Sequence, residues 1–552
     1  MAEAALTVNH TTFSLRALQH AWHPLWFAVL MAIGMTLMLN APFLSALQAK
    51  VPGQYLLQAF LLSMLLLLNL LLLVLLSVNR LQKPISIALF AVGAISLYFI
   101  DNFGIVIDKS MLQNAIETDA AEAQGILSLN LYWQVITIML FPFLASTLIK
   151  IRRLPRMQLL KHWLLCLVLI MLALSSIVVV EYAQLAPFFR NNREVKHMAL
   201  PFSAVSAAVS MGNTLLQQQF PTEFTLLGQD AVQAPYVGTN KPRLIIMVLG
   251  ETARADHFQL NGYQRATNPK LSQLPVFSFQ QVSSCGTATA HSVPCMFSNM
   301  GRQHYDERIA KNSSNVLDIL QRSGVAVTWL DNNSGCKGVC DRVATELLFQ
   351  KQQSEDCQNG QCLDSIILPA VDKQIALDLT TDRLIVVHQL GSHGPEYFKR
   401  SAEQDKHFLP ECGDKQLQLC EPSSIINAYD NSIVATDHLL ADLIDRLQQQ
   451  TDFQTALFYV SDHGESLGEN GVYLHGLPYF MAPDAQTHVP LIWWMSPDYV
   501  TAHTLTATCL RDKETEPFSH DNVFHSLLGM FNVQTAVYQR NKDMFQSCVN
   551  ER

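Results

Sequence analysis

The chain has 552 residues, of which 49% are hydrophobic and 15% charged, with a formal net charge of −9. That length exceeds one ordinary domain, and a mean hydropathy of +0.16 is modest for a protein embedded in lipid throughout. The negative balance offers no basic footprint for nucleic acid, so no nucleic-acid partner is expected. The long apolar runs concentrate in residues 1–183, whereas 241–552 reads as a soluble globular domain.

Five stretches, near 25–47, 55–77, 85–106, 131–149 and 162–183, reach the roughly 20 residues a helix needs to cross a hydrocarbon core. A buried soluble helix could explain one such run, but not five in series. The first follows a polar lead with no small-residue cleavage site, so it reads as a retained anchor. Loop charge sets the orientation. Arg16, Arg80, Lys83 and then Lys150, Arg152, Arg153, Arg156 and Lys161 fall on one side with the N-terminus. The alternate loops hold Lys50, then Asp101, Asp108, Lys109, Glu117, Asp119 and Glu122. The N-terminus is therefore expected in the cytoplasm and everything after about residue 183 outside.

Residues 184–240 form the next expected division, a bridging helix and linker. Between Pro187 and about Gln219, Phe188, Phe189, Met198, Leu200, Phe202 and Val205 interleave with Arg190, Arg193 and Lys196. This pattern suits an amphipathic helix in the membrane interface or one packed on the soluble domain. Of eleven cysteines, only Cys166 lies in a span. The others form close pairs, Cys285/Cys295, Cys336/Cys340, Cys357/Cys362 and Cys412/Cys420, with Cys509 and Cys548 left over. Such an even set suits disulfides in an oxidising compartment. A zinc cluster is the weaker reading, because no CxxC occurs.

From residue 241 onward, short β-rich runs alternate with helical patterns, which predicts an α/β sheet. Candidate strands are 243–249, 325–330, 384–389 and 456–461. Three end in polar groups: Glu251-Thr252, Gly391-Ser392-His393 and Asp462-His463-Gly464. Ligands of open α/β sheets bind beyond the carboxyl ends of strands, so the sheet nominates one shared site. Glu251, Asp462 and His463 offer the oxygen and nitrogen donors of a catalytic zinc site. Each alone would pass for a helix cap or a polar turn. The segment Ser283–Cys295 leads small residues into a helix, where unpaired N–H groups favour an anion. A hydroxyl there is a candidate nucleophile, and equally an N-cap. These arguments leave Thr287 and Thr289 both open.

The runs LGETARADHFQLNGYQRATNP, SSCGTATAHSVPCMFS, SHGPEYFKR and YVSDHGESLGENGVYLHGLPY resemble the bacterial lipid A phosphoethanolamine transferases. That family includes the mobile colistin-resistance enzymes and belongs to the alkaline phosphatase superfamily. The resemblance implies an alkaline-phosphatase/sulfatase-like α/β periplasmic domain (241–552) after a bundle of five transmembrane helices (1–183). It makes Thr289 the nucleophile and Glu251, Thr289, Asp462 and His463 the ligands of a tightly bound Zn2+. His393 and His475 would bind substrate phosphate, assist proton transfer or hold a second Zn2+. Lys337 falls where the family has a basic site residue, although a solvated loop lysine would look the same. Asn114, Thr118 and Glu122, spaced four apart on one helical face, would contact the ethanolamine head group. His291 has no assigned role beyond the site wall.

The implied reaction moves phosphoethanolamine from phosphatidylethanolamine to lipid A through a threonine ester, which would confer resistance to polymyxins. The alternatives are transfer to lipopolysaccharide core sugars or periplasmic glucans, and an inactive lipid-binding protein. A sulfatase reaction is disfavoured, because CGTAT lacks the C/S-x-P-x-R context. The implied setting is the bacterial inner membrane among its lipids, and a monomer is expected.

Overall fold

The computed structural model describes residues 21–76, 79–117, 127–218, 223–234, 241–349, 356–358, 361–377 and 380–549. It contains two compact units. One comprises residues up to Asp101, 106–108 and 128–209; the other comprises 102–105, 109–127 and 210–552.

The first unit is a helical bundle. Helices α1 (Pro24–Met38) and α2 (Ala41–Lys50) meet at a 60° bend, so the first apolar run is a broken helix and not one straight span. The break lies at Asn40, which is fully buried. Its amide donates to Met35 O and Leu200 O at 2.9 Å and accepts the Leu200 N–H at 2.8 Å. A side chain that binds backbone in this way competes with helical continuation. Helices α3 (Tyr55–Leu76) and α4 (Gln82–Phe103) follow. Lys109–Glu117 forms α5, which belongs to the second unit. Helices α6 (Leu129–Leu148) and α7 (Arg156–Asn191) complete the long apolar set. α3, α4, α6 and α7 are each long and apolar enough to cross a membrane, and the bent α1–α2 pair makes five if counted as one span.

Hydrogen bonds gather alternate helix ends at one end of the bundle. Lys83, opening α4, donates to Ser146 O and Ile149 O at the close of α6. Trp163, opening α7, donates to Val74 O near the close of α3. His23, before α1, lies 3.3 Å from His162. The alternation is that of successive antiparallel spans. The expected division at residue 183 falls inside α7, which runs on unbroken to Asn191. The helix continues through Pro187 and stops only at Asn192, so tertiary packing overrides a residue that ordinarily breaks helices. The expected bridging segment is therefore the tail of α7, a short 3₁₀ turn over Arg193–Met198, and α8 (Phe202–Gln218).

The second unit is built on an eight-stranded mixed sheet. Its strands are β1 (Arg243–Gly250), β2 (Phe277–Ser283), β3 (Ala326–Asp331), β4 (Ala344–Leu347), β5 (Arg383–His388), β6 (Gln454–Ser461), β7 (His488–Met495) and β8 (Pro517–Ser519). The spatial order is β8-β2-β7-β6-β1-β5-β3-β4. Strands β6, β1, β5, β3 and β4 run parallel, and β7 runs antiparallel to both of its neighbours. Parallel strands covered on both faces read as continuous apolar runs, and β1 is buried at every residue. Ile245, Met247 and Leu249 join one core, while Leu244, Ile246 and Val248 join the other with the long helix Pro422–Gln448.

Ten cysteines close five disulfides: Cys285–Cys295, Cys336–Cys340, Cys357–Cys362, Cys412–Cys420 and Cys509–Cys548. Cys166 in α7 is free.

Candidate active site

The parallel strands deliver their polar ends to one place. Glu251 and Thr252 follow β1, Asp462 and His463 follow β6, His388 ends β5, and Asp331-Asn332-Asn333 ends β3. Glu251, Asp462 and His463 each offer a donor atom within 4.8 Å of the others, and all three are buried. Thr289, the first residue of helix α9 (Thr289–Met296), reaches this cluster. Its Oγ1 lies 3.1 and 3.2 Å from the Glu251 carboxylate oxygens and 3.3 Å from His463 Nε2. Thr287 does not join the cluster; its hydroxyl donates to Leu477 O at 2.6 Å. The structure thus separates the two threonines that local reasoning left open.

Local backbone holds these groups in place. Thr252 adopts φ 51, a left-handed conformation uncommon outside glycine. Tyr429, on α10 (Pro422–Gln448), donates to Thr252 O at 2.7 Å. Gly464 has no room for a side chain, since a Cβ would lie 2.0 Å from Ala485 O. Ser292, one turn into α9, donates to Asp462 O at 2.5 Å. His520 accepts the Cys285 N–H and reaches Ser461 O at 2.9 Å. Burial pushes its imidazole down to about 3, so it stays neutral as a strut.

Electrostatics divide the acids. Burial would raise the Glu251 carboxyl, but the His463 hydrogen bond and charge hold it below the usual carboxylate range. Burial, reinforced by the Glu251 charge, pushes Asp462 up. His463 is raised despite its burial, because Asp462 and Glu251 flank it. Asp462 Oδ2 is buried without a hydrogen-bond partner among the described residues. Two buried carboxylates, one with an orphaned oxygen, and an imidazole nitrogen form a donor set that fits a metal ion.

His393 and His475 stand beside the cluster. The His475 ring lies 4.4 Å from that of His463 and 5.5 Å from that of His393. His475 Nδ1 lies 3.4 Å from Glu465 Oε2. Asn114 on α5 approaches the same loop, because a Cβ at Gly476 would meet its amide nitrogen at 3.1 Å. Thr118 and Glu122 lie outside the described residues. Lys337 turns back on its own loop, donating to Ser334 O and Oγ at 3.2 and 3.0 Å. His291 stacks edge-on against Tyr305.

Sequence reasoning passed over Asn333, His388 and Asp331. Asn333 donates to Glu251 Oε2 at 2.7 Å. The signal for them is the polar run Asp331-Asn332-Asn333 that closes the candidate strand at 325–330, the counterpart of the polar ends after the other three strands.

A parallel-stranded sheet with carboxylates, an imidazole and a helix-borne threonine at its strand ends defines a sulfatase-type hydrolase or transferase domain. The sulfatase family profile matches residues 243–533, and the profile described as phosphoethanolamine transferase EptA/EptB matches 64–215. The phosphoethanolamine transferase EptA of Escherichia coli (strain K12) is 39% identical over 475 residues, covering 85% of this chain and 86% of that protein. The phosphatidylethanolamine transferase Mcr-1 of Escherichia coli is 38% identical, covering 83% and 85%. The integral membrane lipooligosaccharide phosphoethanolamine transferase A of Neisseria meningitidis superposes with a TM-score of 0.91 at 33% identity, covering 95% of this chain and 99% of that one. The chain belongs to the phosphoethanolamine transferase family of EptA, and it is a multi-pass membrane protein.

Proposed function

We propose that this protein transfers phosphoethanolamine from phosphatidylethanolamine to a phosphate of lipid A at the periplasmic face of the inner membrane. Thr289 is the nucleophile, and Glu251, Thr289, Asp462 and His463 hold a zinc ion. The observation that carries this reading is Thr289 Oγ1, set within 3.3 Å of both Glu251 and His463 at the start of a helix. Family membership supports the group that is moved.

When bound, zinc makes an alcohol oxygen a usable nucleophile at neutral pH and offsets phosphate charge. The chain supplies the rest. Thr289 Oγ attacks phosphorus, the bond from phosphorus to the glycerol oxygen breaks, and diacylglycerol leaves. The threonine proton reaches the leaving oxygen through His393 or His475, since an imidazole can both take up and release a proton. Thr289 now carries a phosphoethanolamine ester. An oxygen of the lipid A phosphate attacks the same phosphorus, the bond to Thr289 breaks, and the acceptor's proton restores the hydroxyl. N–H groups opening α9 point toward the charge that develops. Asn114 orients the ethanolamine in this reading, which its approach to the Gly476 loop beside His475 supports.

Purified protein given head-group-labelled phosphatidylethanolamine and lipid A should release diacylglycerol and make lipid A heavier by one phosphoethanolamine. Chelation should stop this, and zinc should restore it. Label found only on core sugars, or transfer that survives chelation, would overturn the acceptor or the metal respectively.

A further inference from the structure

Beside Glu251 lies a buried polar assembly that the reaction above does not use. Asp331 and His388 close β3 and β5 as direct partners in the parallel register, and both are fully buried. His388 Nδ1 lies 3.1 Å from Asp331 Oδ2, an oxygen that also accepts Trp329 Nε1 at 2.7 Å. The other oxygen, Oδ1, accepts the backbone N–H of Asn333 at 2.9 Å and of Gly335 at 3.2 Å. Asp331 therefore shapes the turn that carries Asn333. The Asn333 amide in turn donates to Glu251 Oε2 at 2.7 Å and to Gln389 O at 2.8 Å. His388 Nε2 completes the wall, 3.3 Å from that amide and 3.9 Å from Glu251 Oε2. The Trp329 ring packs edge-on against the imidazole.

We infer that Asp331 and His388 are positioning residues for Glu251, fixing its carboxylate rotation so that it presents a set oxygen geometry to the metal. The chain is carboxylate to imidazole and turn, turn to amide, amide to ligand. Among the described residues neither hydrogen-bonds to Thr289, so their effect passes through Glu251. A buried aspartate that accepts hydrogen bonds from two strands and a turn is costly to desolvate, and outer partners of this kind typically govern metal affinity by about 10- to 100-fold.

The inference rests on the metal reading of the cluster, and the test keeps the two apart. Zinc affinity of the full-length protein in detergent would be measured by competition with a chromophoric chelator, alongside thermal unfolding of the metal-free form. His388→Phe and Asp331→Asn should weaken zinc binding by about 10- to 100-fold. His388→Asn, which keeps a donor toward Asp331, should recover most of that loss. In a Glu251→Ala background, His388→Asn and His388→Phe should bind zinc equally. Parent protein that binds no zinc overturns both readings. Parent binding with variants within twofold, or an undiminished loss in the Glu251→Ala background, overturns the positioning role alone. Should His388→Phe fail to fold, the His388→Asn and Asp331→Asn pair still decides the matter.

Discussion

The two units place their apolar side chains in opposite directions. In α7, Val179 and Val180 are 77% and 70% exposed, and Leu172 is 59% exposed. In β1, six consecutive residues from Leu244 to Leu249 are 0% exposed. The same side-chain chemistry answers different solvents. Hydrocarbon surrounds the bundle, so outward leucine costs nothing and the hydrophobic effect does not pull the helices together. Water surrounds the sheet domain, so its stability rests on filled interior volume. Polar groups follow the same division. The bundle keeps a few buried amides: Asn40 bonds the backbone of Met35 and Leu200, and Asn69 donates to Thr36 Oγ1 at 3.1 Å. The sheet domain gathers buried acids at its strand ends, where chemistry requires them.

Five substitutions test that contrast. Thr289→Ala should lower lipid A modification on the order of 10³-fold or more, measured by mass spectrometry, with membrane integration and thermal stability unchanged. Retained activity would mean that the reactive group lies elsewhere. Ile246→Ala should cost about 2–5 kcal/mol in denaturant unfolding of the sheet domain, and a much smaller value would show an interior able to collapse. Leu172→Arg should impose about 2.5–3.5 kcal/mol on insertion of α7, read as the fraction of protein integrated into membranes. Leu172→Ala should leave that fraction unchanged. Smallest of all, Asn40→Leu should destabilise the bundle by about 0.6–1.7 kcal/mol, the range of measured interhelical hydrogen bonds.

Hydropathy made the bundle legible, because length and apolarity alone define a span. Its details were not. The 60° bend at Asn40 depends on Leu200, 160 positions away, whose backbone bonds the Asn40 amide. The four candidate strands form the centre of the sheet, β6-β1-β5-β3. Strand β7 was harder to read, since Pro490 interrupts it. The ladder tolerates that proline because the register shifts between Val489 and Leu491. At the site, the strand ends nominate Glu251, Asp462 and His463, whereas local chemistry leaves Thr287 and Thr289 both open; the family resemblance selects Thr289, and its placement against Glu251 agrees. Asp331 and His388 were invisible as partners, because register on neighbouring strands is a property of pairing and not of sequence order.

The wide spacing of the cluster along the chain has a consequence for biogenesis. Thr252 meets Asp462 across 210 positions of sequence, and Thr289 meets His463 across 174. No ribosome-fresh fragment holds the cluster, and contacts of such long range close late in folding. The donor set of Glu251, Asp462 and His463 therefore comes together only once β1 and β6 have paired, and any metal it holds can enter no earlier than that.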